Sequence, residues 1–262
     1  MLHYATIIGN LVEKEKKMKK IHLVIIAFII AFSCIASSCA LDAASNEPYG
    51  ELKNASVGDI IEFGSYDQDN DASNGKEAIE WQVLEKDNNN LFIISKYALD
   101  VQPYNSEWVS VTWDTCSLRS WLNETFFNEA FSESEQAIIK TTNLVADTNT
   151  YTAIKLGEPG EDTNDKVFLL SVDEVNKYFT SDEARMCAPT ANAVANGADF
   201  YMMDSYKIDG VSACCWWLRT PGYHYRDAAA TVLCDGTVYA DDNLVCDIYV
   251  CVRPALWISL DD

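Results

Sequence analysis

Histidine is the scarcest side chain with chemistry to offer. Three occur in 262 residues. His3 and His22 fall in an N-terminal stretch read below as an export signal, so His224 stands alone in the mature chain. One imidazole excludes metal clusters built on several histidines and any mechanism passing a proton between two of them. A Ser-His-Asp arrangement would have to run through His224, in the aromatic loop sequence PGYHYRD, where a surface or binding role is expected instead. Positive charge is also short. Nineteen Lys and Arg face 40 Asp and Glu, a net charge of −21. Phosphate backbones need a basic face, so nucleic acid is excluded as a partner and the acidity is read as solubility. No glycine-rich phosphate loop, no Cys-x-x-Cys pair and no internal repeat occurs, and no cofactor is expected.

Cysteine, by contrast, is plentiful: nine residues. Cys34 and Cys39 belong to the export segment, leaving Cys116, Cys187, Cys214, Cys215, Cys234, Cys246 and Cys251. An odd set leaves at least one thiol unpaired within a monomer. One or two disulfides are expected among the C-terminal strands, the alternative being that several act as small buried hydrophobes. The vicinal Cys214 and Cys215 should face opposite sides if they lie on a strand.

The N-terminus reads as an address. Met18-Lys19-Lys20 is a positive n-region, Ile21 to Ile35 is a nearly unbroken apolar run, and small residues follow. That run falls short of the roughly 20 apolar residues a membrane-spanning helix needs. Met18 makes a better start than Met1, so residues 1–17 are expected to be an over-extension. Ala36-Ser37-Ser38-Cys39 resembles the lipobox of bacterial lipoproteins, which marks Cys39 for lipidation; the alternative is an ordinary secretory signal cleaved near Ala40. Residues 1–38 are therefore read as signal peptide and residues 39–56 as a polar tether. The mature protein is expected outside the cytoplasm, held at the cell envelope by its anchor or secreted.

Residues 57–262 are read as a single α+β domain. Strand pattern covers Ile60–Phe63, Ile79–Leu84 and Leu91–Ile94, an antiparallel meander. Asp67, Asp69 and Asp71 in the first connecting loop fall at positions 1, 3 and 5 of an EF-hand, but Ala72 and Ala78 stand where its Gly and bidentate Glu are required, so a polar hairpin loop is expected and no metal. Leu118, Trp121, Leu122 and Phe126 lay an apolar stripe along a helix. Ser132…Glu135 and Ser171…Glu174 are capping boxes for two more, and a further turn is expected over Thr190–Ala195. Residues 143–166 read as a surface loop and Val167–Leu170 as a buried strand. In CCWWLRTPG and DIYVCVRPALWI, period-2 alternation marks half-buried strands, and Asp235-Gly236 suits a two-residue hairpin turn between them. Trp216, Trp217 and Trp257 are assigned to core packing. Arg219 and Arg253 lie within strands and, if buried, need carboxylate partners.

The blocks VGDIIEFGSYDQDND, EAIEWQVLE, WDTCSLRSWLNETFFNEAF, KVFLLSVDEV, WWLRTPG and VRPALWI resemble a bacterial family of domains of unknown function that recurs in secreted and surface lipoproteins. Their order is similar to that of the C-type-lectin-like fold, an antiparallel sheet with short helices shared by sugar-binding modules and the formylglycine-generating enzyme. A likeness of fold carries no function by itself. The loops above the C-terminal strands point instead to a ligand-binding module for a glycan or a surface protein, without catalytic activity. Its binding face would join Tyr223, His224, Tyr225 and Arg226, after the Pro221-Gly222 turn, to Tyr239, Asp241, Asp242 and Asn243 in the next loop. The two loops should lie at one end of the sheet. The alternative is an oxidoreductase of the formylglycine-generating type acting through Cys246 and Cys251, whose spacing is like that enzyme's copper-binding pair. A third reading is a purely structural envelope protein.

Overall fold

Two sheets, one antiparallel and one antiparallel but for a parallel β12–β9 pair, are built from strands drawn from both ends of the chain. The computed structural model describes residues 52–146, 159–198, 205–222 and 227–261, with the side chains of Asp241 and Asp242 outside that description. The segment read as signal peptide, Cys39 and residues 40–51 of the segment read as a tether therefore lie outside the described residues. Residues Glu51–Asp262 make one compact unit. Packing already begins at Leu52 and Ala55, both buried, eight and five residues ahead of the first periodic pattern at Ile60.

β1 (Ile60–Tyr66), β2 (Glu77–Lys86) and β3 (Asn90–Ser95) form the expected meander. Chain-terminal β13 (Ala255–Ser259) adds to β3, giving a four-stranded sheet in the order β1-β2-β3-β13. The second sheet takes β4 (Asp100–Val101), β9 (Trp216–Pro221), β10 (Ala228–Val232), β11 (Val238–Leu244) and β12 (Cys251–Val252), in the order β11-β10-β9-β12-β4. Two small ribbons complete the strands. β5 (Thr142–Leu144) pairs with β6 (Thr163–Asp165), closing the base of the excursion read as a surface loop, and β7 (Lys207–Ile208) pairs with β8 (Val211–Ser212).

The apolar stripe becomes one helical run: α1 (Ser117–Trp121), a π-turn (Leu122–Phe126) and α2 (Phe127–Ala130). Asn123 accounts for the irregularity. Its amide donates to the carbonyls of Arg119 and Val167, and its oxygen accepts from the N–H groups of Lys166 and Val167. A side chain that inserts beside the ladder this way is a usual companion of π-turns. Both capping boxes form as the sequence requires, Ser132 with Glu135 opening α3 (Glu133–Ile138) and Ser171 with Glu174 opening α4 (Val172–Tyr178). α5 (Asp182–Arg185) and α6 (Ala191–Ala195) follow, the latter capped by Thr190.

Three strand expectations are corrected. First, β9 and β10 are buried along their whole length rather than half-buried, because they are central strands covered on both faces. Second, Val167–Leu170 is fully buried but not a strand. Phe168 makes a two-way backbone bridge with Ala255 of β13, and Leu170 accepts from the Arg219 N–H of β9, so the segment links the two sheets. Third, the C-terminal run is two strands in different sheets, broken at Arg253-Pro254, where Pro254 has no N–H to give a ladder. Arg253 consequently lies between strands. Its guanidinium is 5.0 Å from the Trp216 ring and 5.4 Å from Phe179, and it donates to the Ser95 carbonyl, so ring faces and carbonyls take the place of the expected carboxylate. Arg219 does form the expected ion pair, with Glu174. Trp216 and Trp217 are wholly buried, and Trp257 stacks on Phe92 at 4.8 Å.

Candidate functional site

The register of the five-stranded sheet decides which loops can meet. Ala229 of β10 pairs with Pro221 of β9 on one side and Asn243 of β11 on the other. The ladder ends one step further on, where Gly222 donates to Ala228 and Val245 donates to Asp227. Whatever connects Gly222 to Asp227 is therefore emitted at this end, and Cys234–Gly236 turns at the other. Tyr223, His224, Tyr225 and Arg226 occupy that connection and lie outside the described residues.

The partner set is placed differently from its reading as a loop. Tyr239, Asp241, Asp242 and Asn243 all belong to β11, because the ladder with β10 continues past them across a bulge that sets 240–242 against Ala230. Tyr239 is half-buried and pairs with Thr231, one step nearer the turn. The Asn243 amide donates inward to the Thr231 hydroxyl. Only the Asn243 end of this group is level with Pro221.

One residue the sequence reading passed over stands at the same end. Trp108 is 65 % exposed, and its indole N–H donates to the Asp227 carboxylate at 2.5 Å. Its loop is held from both sides. The Asn105 N–H donates to Val245 at 2.7 Å, while the Asn105 amide oxygen and the Ser117 hydroxyl each accept a backbone N–H across the loop, from Ser117 and Ser106 respectively. The signal was available: Trp108-Val109 is an apolar pair without periodic partners inside the polar run YNSEWVS.

The same loop continues to Trp113, which lines a shallow cleft of about 260 Å³, counting space open to solvent, with Val145, Glu161, Thr163, Arg219 and Pro221. A buried polar network braces its floor. Asp165 accepts from Arg119 Nε at 2.7 Å, Trp113 Nε1 at 2.9 Å and the Thr163 hydroxyl at 2.7 Å. Arg219 donates to the Leu169 carbonyl at 2.9 Å beside its Glu174 partner. With so many directed bonds the floor is rigid, and it offers mixed apolar and polar contact.

Elsewhere the structure separates groups that the sequence set side by side. Asp67, Asp69 and Glu77 bring one carboxylate oxygen each within 4.8 Å of the others, whereas Asp71 is not part of that group. These oxygens serve the hairpin: Glu77 accepts from the Gln68 and Asp69 N–H groups, and Asp67 from that of Asn70. Cys246 lies just after Val245, at the Pro221 end. Cys251 pairs with Trp216 at the far end of β9. A six-residue strand spans about 17 Å, so register places the two cysteines apart.

Comparison with protein families matches residues 88–260 to DUF6273, a domain of unknown function. The match runs from the turn before β3 through β13 and leaves the β1–β2 hairpin outside it. No curated protein and no solved structure matches. Two thirds of the sequence thus carries the family's pattern, and the chain belongs to the DUF6273 family of domains of unknown function.

Proposed function

We propose that this protein is a glycan-binding module without catalytic activity, lipid-anchored at Cys39 in the bacterial cell envelope, with the Pro221 end of its five-stranded sheet as the binding face. Trp108 carries the reading. Leaving an indole exposed forgoes roughly 2 kcal/mol of burial. Tying its one polar atom to Asp227 leaves a flat apolar face fixed in place. Sugar rings present apolar C–H faces edged by hydroxyls, and such a ring beside carboxylates and amides is complementary to them. In this proposal Tyr223, His224, Tyr225, Arg226, Asp241, Asp242 and Asn243 remain the ligand-binding set, acting together with Trp108, and the Trp113 cleft takes a neighbouring sugar. The two-sheet frame is taken as C-type-lectin-like, since the helices come early and the Trp-Trp-Leu-Arg strand feeds the C-terminal hairpin. A thiol enzyme draws no support from this geometry, because Cys246 and Cys251 sit toward opposite ends of β9.

Screening residues 51–262 on a glycan-and-protein array tests the reading. The expected result is a glycan hit that Trp108→Ala weakens about tenfold or more, about 1.4 kcal/mol, with thermal stability nearly unchanged. Binding only to proteins would replace the ligand class, and full binding by the Trp108→Ala variant would reject the face. The anchor is tested separately. Cys39→Ala in the full chain should release the protein from the membrane fraction or leave it uncleaved, because lipid on that residue is the proposed hold. Normal processing and retention would remove the anchor.

A further inference from the structure

Sulfur chemistry at the other end of the sheet carries a separate inference. All seven cysteines after residue 51 are free thiols, in unlike surroundings. Cys116 is buried, donating to the Trp113 carbonyl. Cys187, Cys214 and Cys251 are wholly buried, with Cys214 donating to the Cys187 carbonyl and Cys187 to those of Lys96 and Ala188. Cys215 and Cys234 differ from all of these. Their Sγ atoms are 3.3 Å apart, and Cys215 is half-buried while Cys234 is buried. The ladder pair Trp216–Val232 sets this meeting, since Cys215 directly precedes β9 and Cys234 opens the β10–β11 turn. Among the described residues the only three-ligand cluster of the metal-binding type is Asp67, Asp69 and Glu77, so the pair has no third ligand of that kind within 4.8 Å.

We infer that Cys215 and Cys234 are a redox pair that closes into a disulfide, stapling the β10–β11 turn to the start of β9. A bonded pair of sulfurs stands about 2.0 Å apart, so closure asks for a shift of little more than 1 Å. The oxidant is a small-molecule or protein disulfide. The accessible Cys215 thiolate attacks one of its sulfurs, forming a mixed disulfide and expelling the first thiolate, which takes a proton. Cys234 thiolate then attacks the Cys215 sulfur and expels the second. The protein loses two electrons and two protons, and the oxidant leaves as two thiols. Hydrogen bonding to Cys234, and then burial, raises the Cys215 thiol, so this exchange runs slowly near neutrality. The pair lies at the end remote from Trp108, and the inference stands whether or not a glycan binds there.

The test uses the purified full chain with excess oxidised glutathione at pH 7, 8 and 9, followed by alkylation and non-reducing peptide mapping with fragment sequencing. A Cys215–Cys234 link is expected, forming about tenfold faster per pH unit because the thiolate fraction grows in that proportion. Reductant should then lower the melting temperature of the oxidised protein by roughly 5 °C or more, and leave a Cys215→Ser, Cys234→Ser variant unmoved. Fragment sequencing of the wild type keeps the question decidable if that variant folds poorly. Both cysteines remaining alkylatable after exhaustive oxidation, or either one linked to a different cysteine, would overturn the inference.

Discussion

At the scale of single residues, the described chain is held by polar side chains that each satisfy several partners. Asp165 is the clearest. It is wholly buried and receives three donors, so Asp165→Ala strands the Trp113 indole N–H and removes the charge partner of Arg119. A loss of about 3 kcal/mol is expected, read as a drop in the urea midpoint without a change of slope. Asn123→Ala removes four hydrogen bonds at once and should cost about 2 kcal/mol. A crystal structure of that variant should show the π-turn reverting to α-helix if the side chain is its cause. Gly64 has φ +69°, and a Cβ there would stand 2.6 Å from the Phe131 ring. Gly64→Ala should therefore destabilise through both backbone and packing, by more than 1 kcal/mol in thermal unfolding.

At the scale of elements, local signals succeed where they are self-sufficient. Each capping box needs only four consecutive residues, and both form; Ser171→Ala should cost about 1 kcal/mol of stability by the same measurement. Turns are more equivocal. The dipeptide Asp-Gly occurs at two hairpins with different outcomes. Asp209 and Gly210 both have positive φ and make a two-residue turn between Ile208 and Val211. At Asp235-Gly236 only the glycine does. Leu233 and Thr237 bond across a three-residue loop, a type I turn followed by a left-handed glycine. The difference is tertiary, since the Gly236 backbone packs on Asp182 and its carbonyl accepts from Arg185.

At the scale of the whole molecule, the density of buried ionisable groups sets a response to pH. Burial pushes the Cys116 thiol up to about 12 from 9.0, and raises Cys187, Cys214, Tyr66 and Tyr104 as well. A raised thiol stays protonated in the folded chain after the unfolded chain has lost its proton. Its contribution is therefore full below pH 9 and is lost as pH climbs toward 12. Stability should be level through neutrality and fall above pH 9, with Cys116 alone contributing on the order of 1 kcal/mol per pH unit. Urea titrations of wild type and Cys116→Ala at pH 8, 10 and 11 check this, the variant giving the shallower decline.

The sequence alone determined the elements whose causes are local: the β1–β3 meander, the apolar helical stripe and the two capped helices. It also identified the ion pair of Arg219 and the polar character of the Asp67–Glu77 loop. Tertiary structure decided the rest, because those features depend on partners far apart in the chain. Alternation cannot tell a half-buried strand from one covered on both faces, and so β9 and β10 read as more exposed than they are. It cannot register a change of sheet, which is why Arg253-Pro254 looked like the inside of one strand. A bulge opposite Ala230 turned an apparent loop of acids into part of β11. Trp108 gained its meaning only when folding set Asp227, 119 residues away, beside its indole N–H.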